Sequence, residues 1–277
     1  MRGERRSGVA LVAAAATLWG GWALVLRPAG LPPMQFAFTV LLVMAAPLPF
    51  TLRAEPWRDR GAVAALLLLG AAEAANVVLY FAAIARGPVA VAVLTHYLTP
   101  LLVTLASPWV TGERASRRAL VAAPVSLAGL ALLVWRPGAG APLVTAALGA
   151  GSAAFYAVIV FAARRAGRSF RPLEVTAWHA LVSVALLLPL GARVLPPAAP
   201  ATALVAAGAL VCGVGGALLF YRGVGLVPPP VAGALTYLEP LTAAAVGWVA
   251  FGEAIGPAGL AGAALVLAGG VAVALEG

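Results

Sequence analysis

Residues 95–100 read THYLTP and residues 235–240 read LTYLEP, so Tyr97, Leu98 and Pro100 return as Tyr237, Leu238 and Pro240 at a spacing of 140. The same offset carries Gly112-Glu113 onto Gly252-Glu253, Leu79 onto Leu219, and the aromatic pair Tyr80-Phe81 onto Phe220-Tyr221. An internal duplication constrains a fold more than any single motif, because each copy must fold alike and bury its face against a neighbour. An apolar unit that crosses a membrane an odd number of times inserts its two copies in opposite orientation. The copies then meet near the bilayer midplane.

The unit is apolar. Hydrophobic residues make up 63% of the 277 positions, charged residues 10%, and the mean hydropathy is +1.01. A water-soluble domain cannot cover that much apolar surface, so an all-α polytopic membrane protein in a lipid bilayer is expected. Breaks at Pro, Gly and Arg leave ten apolar runs, near 8–26, 34–52, 61–85, 89–110, 117–135, 143–163, 173–192, 200–221, 229–251 and 257–275. Each approaches the length of about 20 residues that a spanning helix needs. The expected architecture is ten transmembrane helices in two inverted five-helix repeats, residues 1–137 and 138–277, forming one membrane domain.

All 18 basic residues are Arg. Arg27, Arg86, Arg136 and Arg193 fall on one side of the predicted stack and the other fourteen on the opposite side. The positive-inside rule makes the richer side cytoplasmic, with both termini there, in a bacterial inner membrane. The net charge of +9 therefore reads as topogenic, and no nucleic-acid partner is implied. The leader-like start MRGERRSG is expected to stay, because its removal would cost the first repeat a helix that the second keeps. Cys212 stands alone in an apolar run, and no Cys/His spacing suits a metal, so no metal or other cofactor is expected.

Polar residues inside the apolar runs mark a wet pathway or satisfied packing. The third run carries Glu73, Asn76 and Tyr80 at i, i+3 and i+7, on one helical face. The fourth carries Thr95, His96, Tyr97 and Thr99 just before Pro100, and the ninth carries Thr236, Tyr237 and Glu239 just before Pro240. Proline frees a carbonyl one turn earlier, here that of His96 or Thr236. A matched pair of Pro-interrupted spans points to a binding site with hinges at Pro100 and Pro240, against the simpler reading of two structural kinks. His96 and Glu239 break the repeat symmetry, since they correspond to Thr236 and Thr99. Tyr156 shares a face with Ser152, and His179 shares a stripe with Thr176 and Ser183. Trp19 lies in mid-run and is a pocket candidate, whereas Trp57 and Trp109 suit the interfacial belt. Glu113 and Glu253 sit where they could cap or brace the next helix. The last run is lined by Gly259, Gly262, Ala263 and Gly269, which suits packing inside the bundle or a homodimer contact.

These features together resemble the drug/metabolite transporter superfamily, and within it the EamA-type ten-span bacterial exporters. The resemblance covers the whole chain. It rests on the half-repeats, the Tyr-Leu-x-Pro element of the fourth and ninth runs, the Gly-Glu after each, and the pairs Trp19-Gly20 and Tyr156-Ala157. It implies alternating access through a central cavity lined by both halves. One branch of that family exports aromatic and other neutral amino acids; resemblance to it would place Asn76, Tyr80, Tyr97, Thr99 and Tyr156 in the cavity. This chain departs from that branch at His96 and Thr99, where Asn and Trp are usual there.

Export of small metabolites, amino acids first among them, is the expected function. A carrier of nucleotide-sugar, lipid-linked or drug-like substrates is the alternative, with proton coupling through His96 and the carboxylates open. The arginines cluster at loops, which disfavours strongly anionic cargo. No nucleophile is paired to a base and no metal spacing exists, so an enzyme is not expected. Monomer and homodimer are both compatible with the small-residue faces.

Overall fold

A computed structural model of the chain describes residues 2–134, 143–191 and 200–275. Arg136, Arg193 and the boundary at 137/138 lie outside the described residues. The described chain is helical throughout, with no strand among the described residues. Its helices are α1 (Arg2–Gly20), α2 (Ala23–Ala29), α3 (Pro33–Ala45), α4 (Arg60–Arg86), α5 (Val89–His96), α6 (Thr99–Val110), α7 (Arg117–Val134), α8 (Leu143–Ala166), α9 (Pro172–Gly191) and α10 (Pro200–Gly208). After a π-helical stretch, Ala209–Gly215, come α11 (Gly216–Val224), α12 (Pro229–Leu235), α13 (Leu238–Phe251) and α14 (Pro257–Ala274).

Among the described residues, eight stretches are long and apolar enough to cross a bilayer, including Gly3–Ala29, Arg60–Arg86, Val89–Val110 and Pro229–Phe251. The remaining two predicted runs are also helical, as α7 and the shorter apolar α14. Leu67, Leu68, Leu186, Trp248 and Val249 turn outward, as lipid-facing positions should, while Val12, Leu66, Leu69, Val160 and Val175 fill the interior.

Both Pro-bearing spans are broken, for the same reason. Pro100 and Pro240 have no N–H to give the turn before them. The carbonyl of His96 instead accepts the Thr99 hydroxyl at 2.9 Å, and that of Thr236 accepts the Glu239 amide at 3.0 Å. The two copies meet one backbone need with different donors. A third irregularity lies in the π-helical stretch, where the Cys212 carbonyl accepts the Trp19 indole N–H at 3.0 Å.

Helices from the two halves interleave. α4 packs along α8 and against α9, α1 along α11 and α13, α5 and α6 against α8, α12 against α6, α3 against α9, and α7 along α14. The α7–α14 seam is close because its residues are small. A Cβ at Gly129 would lie 2.6 Å from the Gly262 carbonyl oxygen, so only glycine fits. Gly262 and Gly269 of α14 thus spend their small faces on α7 of the same chain.

Candidate functional site

A cavity of about 890 Å³ lies between these helices, of the size that small-molecule sites occupy. α4 contributes Glu73, Asn76, Tyr80 and Phe81; the break after α5 contributes His96 and Tyr97; α8 contributes Tyr156 and α9 His179. α1 contributes Trp19, α11 Phe220 and Tyr221, and the start of α13 Glu239 and Pro240. Walls from both halves therefore enclose one space. The breaks matter to this, because His96 and Tyr97 at the α5–α6 break and Glu239 just after the α12–α13 break all reach the lining.

Ten of the residues singled out from sequence line the cavity: Trp19, Glu73, Asn76, Tyr80, His96, Tyr97, Tyr156, His179, Glu239 and Pro240. Thr99, Thr236, Tyr237 and Pro100 stand behind it. Thr99 is fully buried and divides its hydroxyl between the carbonyls of His96 (2.9 Å) and Ala153 (3.2 Å). Thr236 is fully buried on the Gly233 carbonyl at 2.7 Å. Tyr237 donates its hydroxyl to the Tyr97 carbonyl at 3.1 Å and stacks with the Tyr97 ring at 6.3 Å. The two repeat-related tyrosines thus touch, and only Tyr97 of the pair reaches the cavity.

One hydrogen-bond chain organises the polar wall. The Ser152 hydroxyl donates to Asn76 Oδ1 at 2.7 Å, so its oxygen is free to accept from His96 Nδ1 at 2.7 Å. Asn76 in turn lines the cavity beside Glu73, one helical turn away on α4. A neutral His96 in this chain carries its proton on Nδ1 and keeps a lone pair on Nε2. The His96 ring lies between those of Tyr80 and Tyr156, with centroids 4.4 and 5.4 Å away. His179 is held likewise: its Nδ1 meets the Val175 carbonyl at 2.8 Å, which requires the proton there, and the Tyr221 hydroxyl lies 3.4 Å from Nε2. Tyr97 and Glu239 enter the cavity from the two broken spans.

Sequence reasoning missed Trp22, Phe36, Met44, Phe81, Phe220, Tyr221, Arg27 and Glu253 in the lining. The repeat offset already paired Tyr80-Phe81 with Phe220-Tyr221, and that was the available signal for three of them, Phe81, Phe220 and Tyr221. Arg27 reads as a loop charge in sequence. In the structure it pairs with Glu253 at 2.6 Å and lies 4.4 Å from the face of Phe251. Glu113, the repeat counterpart of Glu253, pairs with Arg164 at 2.8 Å. Arg27 and Arg164 are themselves counterparts, at the spacing of 137 that carries Trp19 onto Tyr156. One ion pair therefore occurs twice, once at each end of the repeat. The cavity reaches the Arg27–Glu253 end, where Pro88, Val89, Ala90 and Leu133 also line it. The Arg164–Glu113 end is tied further by Arg165 to Asp59 (2.9 Å) and Arg53 to Glu174 (3.3 Å). Arg165 and the Ser169 hydroxyl hold the Asp59 carboxyl well below the usual carboxylate range. No group of three or more His, Cys, Asp or Glu side chains could hold a metal ion among the described residues.

The sequence model of the EamA-like transporter family matches this chain twice, over residues 6–135 and 143–275. The chain belongs to the EamA-like transporter family. An uncharacterized transporter of Archaeoglobus fulgidus is 30% identical over 280 residues, spanning 95% of each chain. A solved crystal structure superposes with a TM-score of 0.80 over 96% of this chain and 97% of that chain, at 24% identity, and supports the fold alone. The protein is thus a multi-pass membrane transporter, of the family that its repeat, its Tyr-Leu-x-Pro elements and its Gly-Glu pairs resemble.

Proposed function

We propose that this family member is a secondary transporter that exports small metabolites, amino acids first among them, by alternating access through the central cavity. The observation that carries this reading is that the cavity is walled by helices of both halves, with repeat-related residues meeting beside it. The packing supports ten spans in two inverted five-helix halves, near residues 1–137 and 138–277. Exchanging each span for its counterpart five places on turns α4–α8 into the packing of α1 on the α10–α11 span, and turns α5/α6–α8 into α12/α13–α1. The α7–α14 and α3–α9 contacts map onto themselves. Such an exchange is how an inverted repeat turns one facing state into the other.

The arginine distribution supports a topology with the Arg164–Glu113 end and both termini in the cytoplasm of a bacterial cell, and in that topology the Arg27–Glu253 end of the cavity is the outward one. Pro100 and Pro240 are the hinges, and Thr99, Thr236 and Tyr237 brace the broken backbone from behind. The small face of α14 is engaged within the bundle, which favours a monomer. Fixed carboxylates and the lack of an unpaired arginine in the described lining disfavour nucleotide-sugar cargo. Counterflow in proteoliposomes tests the reading: saturable exchange of an amino-acid panel supports a carrier, while non-saturable flux makes it a pore.

A further inference from the structure

We propose that the cavity selects organic cations: small metabolites with a protonated amine on an aromatic or apolar body and no free carboxylate. This rests on the transporter reading above and narrows its substrate.

The charge of the lining comes first. Glu73 of α4 and Glu239 of α13 enter the same cavity from opposite halves, and neither forms an ion pair among the described residues. Tyr156 lines the same cavity with both of them. Arg27, the arginine of the described lining, is already bound to Glu253 at 2.6 Å. A carboxylate brought into this space would meet two acids and no unpaired guanidinium. An uncompensated anion away from bulk water is costly, whereas an ammonium would meet two carboxyl groups able to pair with it.

The hydrogen-bonding inventory points the same way. Ser152 spends its proton on Asn76, His96 spends its Nδ1 proton on Ser152, and His179 spends its Nδ1 proton on Val175. What the neutral imidazoles and the carboxylates have left to offer is mostly acceptors. An ammonium is purely a donor.

The rings supply the third observation. Tyr80, Tyr97 and Tyr156 line the cavity together with Glu239, and Trp19 and Phe220 line it as a ring pair 5.1 Å apart. Aromatic faces attract cations and accept a flat apolar body without further polar partners. Glu73 and Glu239 occupy different repeat positions, with Gly213 and Thr99 as their counterparts. The charged end of a substrate therefore has a defined seat, which a symmetric site would not give it.

The test uses three labelled probes that share one ring system: tryptamine (a cation), tryptophan (a zwitterion) and indole-3-acetate (an anion). Purified full-length protein in liposomes is assayed by counterflow with each. Tryptamine is expected to half-saturate at a concentration about tenfold lower than tryptophan, with indole-3-acetate weakest. Glu73→Gln and Glu239→Gln should each remove most of that preference, with thermal unfolding reporting whether each variant is folded. If neither folds, the wild-type ranking decides. Saturable exchange that favours tryptophan or indole-3-acetate overturns the cation proposal and leaves the carrier intact. A preference for tryptamine that survives unchanged in two folded Gln variants also overturns it. Failure of all three probes and of the amino-acid panel takes down the carrier reading and this proposal together.

Discussion

Ser152→Ala is the most informative single change in the polar wall. Ser152 is fully buried and joins His96 to Asn76 through two bonds of 2.7 Å. Removing the hydroxyl strands two groups in different surroundings. His96 is 7% exposed, so the loss for its stranded Nδ1 proton lies toward the upper part of the range of about 1–3 kcal/mol for an orphaned buried group. Asn76 lines the cavity, where water can take the place of the hydroxyl, so its loss is about 1 kcal/mol or less. The sum is about 2–3 kcal/mol, a drop of roughly 5–10 °C in the unfolding midpoint for a chain of this size. Thermal unfolding in detergent of wild type, Ser152→Ala, His96→Phe and the double variant forms a cycle. In the His96→Phe background the serine has one partner left, so Ser152→Ala should cost only about 1 kcal/mol. An equal cost in both backgrounds, or no cost in either, would refute the assigned chain.

The two symmetry-related ion pairs should act at opposite ends. The side chains of Arg27 and Glu253 are 46% and 51% exposed, against 20% and 36% for Arg164 and Glu113, so Glu253→Gln costs less than about 1 kcal/mol and Glu113→Gln somewhat more. An impermeant thiol reagent applied from one side to Val93→Cys, in a Cys212→Ala background, should change its rate in opposite directions in the two variants; a shift of the same sign would sink the pairing. Gly129→Leu and Gly262→Leu should each overpack the α7–α14 seam by about 1–3 kcal/mol without altering subunit mass, measured by unfolding and light scattering. A loss of dimer at unchanged stability would place that seam between subunits. Asp59 has a lowered folded pKa, so its tie to Arg165 contributes above the ordinary aspartate pKa of about 4 and fades as pH falls below it. Wild type and Asp59→Asn should therefore differ in unfolding midpoint at neutral pH and converge in acid.

The polar face of α4 was legible because Glu73, Asn76 and Tyr80 recur at helical spacing in an otherwise apolar run, and all three line the cavity. Tyr97 and Tyr237 were equally visible as a repeated pair. Sequence could not say which of them faces the cavity, because that depends on how far each broken helix turns. Arg27 and Glu253 were legible only as separate features near span ends, since their pairing joins positions 226 residues apart.

Local chemistry and periodicity determined much of this protein. Apolar runs of spanning length leave helices as the way to satisfy backbone groups in lipid, prolines break spans four and nine wherever they pack, and a duplicated unit carries its motifs into both halves. The tertiary structure alone decided which polar atoms are spent and which remain. Thr99 and Thr236 turned to backbone carbonyls, Ser152 became the link between His96 and Asn76, and Arg27 was neutralised by Glu253. Satisfaction of a buried polar group depends on what lies within about 3 Å in space, and helical spacing reports neighbours only along one helix.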